Sequence, residues 1–269
     1  MTPNPRMLTI SDESSFQRDG YLLLRSVFSP EEIQTAKAAC KEREAHADAS
    51  GVHVLQWHAL PAPLRDVACD RRLTAPLNQL IGPQTELLSA KLVFKSGAVR
   101  FASPWHQDHA YWHGSTKYSV WIALEHATAE NGCLKVIPGS HSEQVDHQHV
   151  DSDVGFGNRV GEEAINESES VTVPMEAGDA LVFHDCMLHS SHPNVSGQDR
   201  WAFIPTYRDA TVPDDSSVWE SGMPIEGCGM AAEIPPIVAP PNPSTVTSSS
   251  VVPRRRVVLG VIAVSPNWH

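Results

Sequence analysis

From Glu86 onward the chain is a succession of short apolar runs of strand length, each closed by residues that tight turns demand. This restricts it to a β-rich core more than any other feature does. The predicted strands are 86–94, 105–112, 119–125, 134–138, 170–174, 180–183 and 200–207. Between them, Glu130-Asn131-Gly132, Pro138-Gly139-Ser140 and Ala177-Gly178-Asp179 supply turn chemistry. Many short strands with regular punctuation predict a sandwich or barrel.

Ahead of this core the pattern is helical. Asp19-Gly20 is a turn pair that delivers a short helix into the extended run Tyr21-Leu22-Leu23-Leu24. Ser29-Pro30-Glu31-Glu32 combines an N-cap serine, proline at the first helical position and glutamate at the third, so a helix should start there and run to about residue 46. A second helical piece over 64–81 stops at Gly82-Pro83. The stretch 47–63, which holds Trp57 and His58, has no firm periodicity and is expected to be a flap. After Asp209 the composition shifts, and Pro235-Pro236, Pro240-Pro241 and the serines of 244–250 read as a loose tail. The predicted organisation is one domain over 1–233, with a helical segment at 11–82 and a core at 86–210, followed by a Pro/Ser-rich tail at 234–269.

A formal charge of −12 argues against nucleic acid and anionic membranes as partners, since both need a basic surface, and favours a small-molecule substrate. The five cysteines are scattered, odd in number and form no CxxC pair, which predicts reduced thiols and a cytoplasmic location. The first twelve residues lack an apolar leader, and the run 257–264 is too short to cross a bilayer.

The chemistry is carried by histidine and aspartate. Two histidines and one carboxylate leave open positions on an octahedral iron, and the sequence form is His-x-Asp followed by a distant His. On a strand, residues two apart share a face, so both can reach one metal. Three such pairs occur. His46-Ala47-Asp48 falls at a helix end, where residues two apart diverge, and His149-Val150-Asp151 sits in a polar, glycine-flanked stretch that reads as a solvated loop. His106-Gln107-Asp108 is embedded among Phe101, Trp105, Tyr111 and Trp112, a setting where a buried charge needs a partner. For the distal histidine, His184, His189 and His192 are candidates. Arg200 selects His189, because an arginine eleven positions on, on the next strand, can present its fork to a carboxylate beside the metal.

With these pieces in order, the chain resembles the phytanoyl-CoA dioxygenase family of iron(II)/2-oxoglutarate oxygenases over roughly residues 12–210. The matching pieces are Phe16-Gln17-Arg18-Asp19-Gly20-Tyr21, the capped helix at Ser29, Trp105-His106-Gln107-Asp108 and Val120-Trp121-Ile122-Ala123-Leu124-Glu125. They continue with Asn131-Gly132-Cys133-Leu134, Ile137-Pro138-Gly139-Ser140-His141, Gly178-Asp179, Phe183-His184, Leu188-His189-Ser190-Ser191, Asn194 and Arg200. The resemblance implies a double-stranded β-helix, or jelly roll, with flanking helices. It implies Fe(2+) held by His106, Asp108 and His189, and 2-oxoglutarate anchored by Arg200 with Lys91 and Trp121 in contact. It further implies O2 as cosubstrate, succinate and CO2 as products, and hydroxylation of an unactivated carbon as the usual outcome. By the same resemblance His141 is structural and His184 packs near the site. An aromatic mouth of Phe101, Trp105, Tyr111, Trp112 and Trp57, with only Lys95 and Arg100 as nearby basic residues, favours a neutral or apolar small molecule such as a secondary metabolite. The competing readings are a jelly-roll metalloenzyme or metal-binding protein that does not use 2-oxoglutarate, which would have no need of Arg200, and a non-catalytic binding protein.

Overall fold

The structure is a computed structural model, and it describes residues 7–44, 51–151, 156–219 and 221–225. The helices are α1 (Ile10–Asp19), α2 (Pro30–Glu44), α3 (Ala62–Ala68), α4 (Arg71–Leu80) and the single turn α5 (His109–Trp112). The longer strands are β1 (Tyr21–Leu24), β2 (Val52–Gln56), β3 (Thr85–Lys95), β4 (Lys117–Ala123) and β5 (Leu134–Val136). After the two-residue ribbon strands β6 (Gln148–His149) and β7 (Asn158–Arg159) come β8 (Val171–Val173), β9 (Ala180–His184), β10 (His189–Ser191), β11 (Arg200–Asp209) and β12 (Met223–Pro224).

Seven strands form an antiparallel sheet in the order β1-β9-β4-β11-β3-β12, with β2 also on β3, and a second sheet has the order β10-β5-β8. Period-two alternation explains how one set of strands feeds two cores. Val120 and Ile122 of β4, Ala180 and Val182 of β9, and Trp201 and Phe203 of β11 face the helices, where they pack with Ile33, Leu64, Leu73 and Leu77. The intervening Trp121 and Ala123, Leu181 and Phe183, and Ala202 and Ile204 face the small sheet and meet Leu134, Val136 and Val173. Both faces of the large sheet are therefore covered, and its central strands read as nearly continuous apolar runs. The result is the jelly roll that was expected.

The connection between β1 and α2 is held by a turn the sequence announces. Gly178 lies at φ +94, and a Cβ there would sit 2.3 Å from the Phe28 carbonyl oxygen, so only glycine fits. Beside it, the buried Asp179 carboxylate accepts from the Ser26 amide at 2.8 Å and from Arg25 at 2.7 Å. The capping box at Ser29 forms as read: the Glu32 amide donates to Ser29 Oγ and the Ser29 amide to the Glu32 carboxylate.

Four readings are corrected. The stretch 47–63 contains a strand, since β2 pairs antiparallel with β3 from Val52↔Val93 to Gln56↔Ser89; most of its residues are half-buried, which erases the alternation a strand reading relies on. The helix over 64–81 is two helices, because Asp70 caps a fresh start by accepting from the Arg72 amide at 2.8 Å. The expected strand 105–112 is a one-residue bridge at His106 followed by α5, with Asp108 already in the helical region of backbone space. Cys69 is disulfide-bonded, so the all-thiol expectation fails there, while Cys133 and Cys186 are free thiols; linear spacing does not report which cysteines are close in space. His46-Ala47-Asp48 and the tail at 234–269 lie outside the described residues.

Candidate active site

An isolated antiparallel bridge brings the two halves of the motif together. The His106 amide donates to the His189 carbonyl at 3.0 Å, and the His189 amide returns a bond to the His106 carbonyl at 3.1 Å. Both imidazoles then point into the space between the sheets, with ring centres 4.2 Å apart. Each ring is oriented from behind, His106 Nδ1 by the Pro104 carbonyl at 2.8 Å and His189 Nδ1 by the Met187 carbonyl at 2.9 Å. A carbonyl can only accept, so each Nδ1 carries the proton and each Nε2 presents a lone pair. The Nε2 atoms lie 3.8 Å (His106) and 4.0 Å (His189) from Asp108 Oδ1. One ligand atom from each of these three buried residues falls within 4.8 Å of the others.

The electrostatics suit a cation. Burial, with the neighbouring His189, pushes the His106 imidazole down to about 3, and burial lowers His189 as well, so both rings are neutral near pH 7. Burial alone would raise the Asp108 carboxyl, but the Lys91 ammonium that donates to it holds it below the usual carboxylate range. Lys91 Nζ donates to both Asp108 oxygens, at 2.8 and 3.0 Å, and Ser119 Oγ donates to Oδ2 at 2.8 Å. Two bare imidazole nitrogens and one carboxylate form a donor set that accepts a divalent first-row metal without any proton having to leave.

Across the same cavity lies Arg200, on β11 and 1% exposed, with its guanidinium 5.2 Å over the Trp121 ring. Its Nε and Nη1 are buried and have no hydrogen-bond acceptor. Burial lowers the group to about 10, so it stays charged. A buried cation with two orphaned donors is costly unless an anion completes it, and the fork geometry suits a carboxylate. Lys91, Trp121, His106, His189 and Arg200 all line this cavity.

Three residues that the sequence did not single out for this site complete it. Ser191 and Ser103 line the cavity beside Arg200, with their hydroxyls 2.7 Å apart. Lys95 lies behind them, fully buried, and donates to Ser191 Oγ and to the His192 carbonyl, both at 2.6 Å. The signal for Ser191 was present: it is two residues past His189 on one strand and so shares its face. Lys95, expected near the mouth, is instead interior. Burial and the adjacent Arg200 push its amine down to about 6. An unfolded Lys titrates near its ordinary value of 10.5, so between these two values the unfolded chain binds more protons and stability rises with pH. Urea denaturation should show the wild type gaining stability between about pH 7 and pH 9 by up to roughly 1.4 kcal/mol per pH unit relative to Lys95→Met, in which this contribution is absent. Parallel pH profiles for the two proteins would refute the assignment.

The expected aromatic mouth is only partly realised. Phe101 lines the cavity, and Tyr111 stands edge-on to His106 at 5.9 Å with its hydroxyl donating to the Asn158 carbonyl. Trp112 lies beneath Lys91 Nζ at 5.2 Å and packs on Trp219. Neither Tyr111 nor Trp112 is part of the lining, and Trp105 and Trp57 are outside it too: Trp105 Nε1 bonds Glu167 under the Lys135 ammonium, and Trp57 Nε1 bonds Ser221 Oγ. Phe156, preceding β7, stands in their place 5.3 Å from the His106 ring. Of the other histidines, His192 Nε2 meets Thr172 Oγ1, His184 faces Asp185, and His149 is exposed on the β6–β7 ribbon, away from the cluster. His141 packs against His184 with ring centres 5.4 Å apart.

The chain is similar to known proteins in both sequence and fold. The phytanoyl-CoA dioxygenase family model matches residues 16–202. A phytanoyl-CoA dioxygenase domain-containing protein 1 homolog from Dictyostelium discoideum is 30% identical over 118 residues, which is 41% of this chain and 42% of the relative. The dioxygenase lolE1 of Epichloe uncinata is 27% identical over 65% of this chain and 68% of its own length. The alignments thus span from under half to about two thirds of these relatives. Among solved structures, the non-heme alpha ketoglutarate dependent carbocyclase SnoK from nogalamycin biosynthesis superposes with a TM-score of 0.63 at 23% identity, covering 77% of this chain and 88% of that one.

Proposed function

Because the chain belongs to the phytanoyl-CoA dioxygenase family, we propose that it is a non-haem iron(II), 2-oxoglutarate-dependent dioxygenase that oxidises, most simply hydroxylates, a carbon of a small organic substrate. One observation carries this reading: a cluster of two neutral imidazoles and one carboxylate shares a cavity with a buried guanidinium that has orphaned donors. His106, Asp108 and His189 would hold the iron and Arg200 the distal carboxylate of 2-oxoglutarate, with Ser191 beside it and Lys91 and Trp121 along its length. When bound, the iron would activate dioxygen, the four-electron oxidant, with two electrons coming from the oxidative decarboxylation of 2-oxoglutarate to succinate and CO2 and two from the substrate carbon.

The chain's own residues do the rest. Nδ1 bonds to Pro104 and Met187 fix both rings before any ion arrives, which lowers the cost of ordering the site. The Asp108 carboxylate occupies the position a halide would need, which disfavours halogenation. Val52, Phe101 and Phe156 supply an apolar wall, and Lys91 and Arg200, the charged groups lining this cavity, are both engaged in these roles. A neutral or apolar substrate follows, of the secondary-metabolite kind. The likeness in fold to a carbocyclase from nogalamycin biosynthesis is in keeping with such a substrate.

A single catalytic domain over 1–233, a cytoplasmic location and the absence of nucleic-acid or membrane partners belong to the same proposal. Among the described residues no helix is long and apolar enough to cross a membrane. The test is succinate formation from 2-oxoglutarate with iron(II) and oxygen, screened against a panel of neutral metabolites. Substrate-stimulated succinate is the expected result, and a protein that binds iron but neither binds nor consumes 2-oxoglutarate would sink the reading.

A further inference from the structure

A second cluster of metal-binding side chains lies outside the cavity, where α5 meets the turn between β9 and β10. His109, Asp185 and Cys186 each offer one ligand atom, all within 4.8 Å of one another. The framework holding them is independent of any ion. The His109 amide donates to the Asp185 carbonyl at 3.0 Å, and the Asp185 amide to the Lys117 carbonyl at 3.0 Å. On the Asp185 carboxylate the two oxygens are treated differently. Oδ2 accepts from Trp112 Nε1 and from the Lys117 amide, each at 3.1 Å, and lies 3.3 Å from His109 Nδ1. Oδ1 is buried in a residue with no exposed surface and has no hydrogen-bond donor. His184 Nδ1, 3.1 Å from it, already accepts the Cys186 amide and so presents a lone pair in place of a proton. A buried carboxylate oxygen left without a hydrogen-bond partner favours a positive group beside it.

We propose that His109, Asp185 and Cys186 form a second metal site, distinct from the His106-Asp108-His189 cluster, that takes a borderline-soft divalent cation such as Zn2+. One nitrogen, one carboxylate oxygen and one sulfur are the donors zinc prefers, and a thiolate disfavours harder ions such as Mg2+. His109 is only partly buried, so the fourth position opens on its side. Binding is an exchange: the cation replaces the Cys186 thiol proton, which leaves to solvent, and the His109 proton facing Asp185 moves to the ring nitrogen beside Gln144, whose amide turns its oxygen to accept it, so occupancy falls as pH falls. Burial, reinforced by Asp185, pushes the Cys186 thiol up to about 12, and the metal is what would make it ionise near neutrality. An ion here would tie α5, which follows Asp108, to the turn that leads to His189.

The proposal does not depend on the iron assignment, and cobalt separates the two. Chelator-stripped full-length protein titrated with Co2+ should bind two equivalents, one of which develops a thiolate-to-cobalt charge-transfer band in the near ultraviolet. Cys186→Ser should lose that band and one equivalent, and His109→Ala should weaken both, while circular dichroism stays native. Asp108→Ala should lose the other equivalent and keep the band. Absence of the band from the wild type at saturating Co2+, or its persistence in folded Cys186→Ser, overturns the site.

Discussion

Replacing Arg200 with alanine should raise the apparent 2-oxoglutarate constant by roughly 30-fold to several hundredfold, the equivalent of about 2 to 4 kcal/mol for a charge-assisted contact to a buried carboxylate. The expectation rests on the two orphaned donors, Nε and Nη1, in a side chain that is 1% exposed. Arg200→Lys should fall between wild type and alanine, because a single ammonium cannot reproduce a two-pronged contact. Titrating succinate formation against 2-oxoglutarate at saturating iron measures the effect. A thermal shift gives an independent readout: 2-oxoglutarate should raise the Tm of the wild type and scarcely that of Arg200→Ala. An alanine variant with an unchanged constant would remove the 2-oxoglutarate assignment and leave a jelly-roll metalloenzyme without that cosubstrate as the better description.

Asp108→Asn should lower iron(II) affinity by roughly 100-fold or more and abolish turnover, since even an outer-shell partner of a metal ligand is worth 10- to 100-fold. The amide keeps the shape of the side chain and one acceptor for Lys91 while losing the negative charge that attracts the ion. Asp108→Ala should bind no better and also lose stability, because it strands the Lys91 ammonium, whose side chain is only 19% exposed. Metal content after anaerobic loading, measured beside circular dichroism, separates loss of the site from loss of the fold. Folded Asp108→Asn with wild-type iron content would move the carboxylate ligand elsewhere, and His149 with Asp151 would then need to be reconsidered despite their exposed ribbon.

What the sequence determined by itself is what depends on local chemistry. Turn residues at Gly178-Asp179, the capping box at Ser29 and the short apolar runs of β4, β9 and β11 each act within a few positions, so the jelly roll and its helical cover were readable from them. The His-x-Asp pair embedded among aromatics and the arginine eleven positions past His189 were readable for the same reason. Tertiary structure decided what depends on neighbours distant in the chain. The three short polar residues of β10 carry no apolar rhythm and are a strand only because Leu134 to Val136 lie opposite them. The bridge between His106 and His189, which aims both rings, joins positions 83 residues apart through two backbone hydrogen bonds that no spacing rule encodes. Trp105 and Trp57 were placed at the mouth by composition and were turned away by partners at Glu167 and Ser221, while Phe156 arrived from a ribbon whose pairing is set by contact and not by local preference. Lys95, a strand lysine that composition would send to solvent, is interior because Ser191 Oγ and the His192 carbonyl accept its protons there.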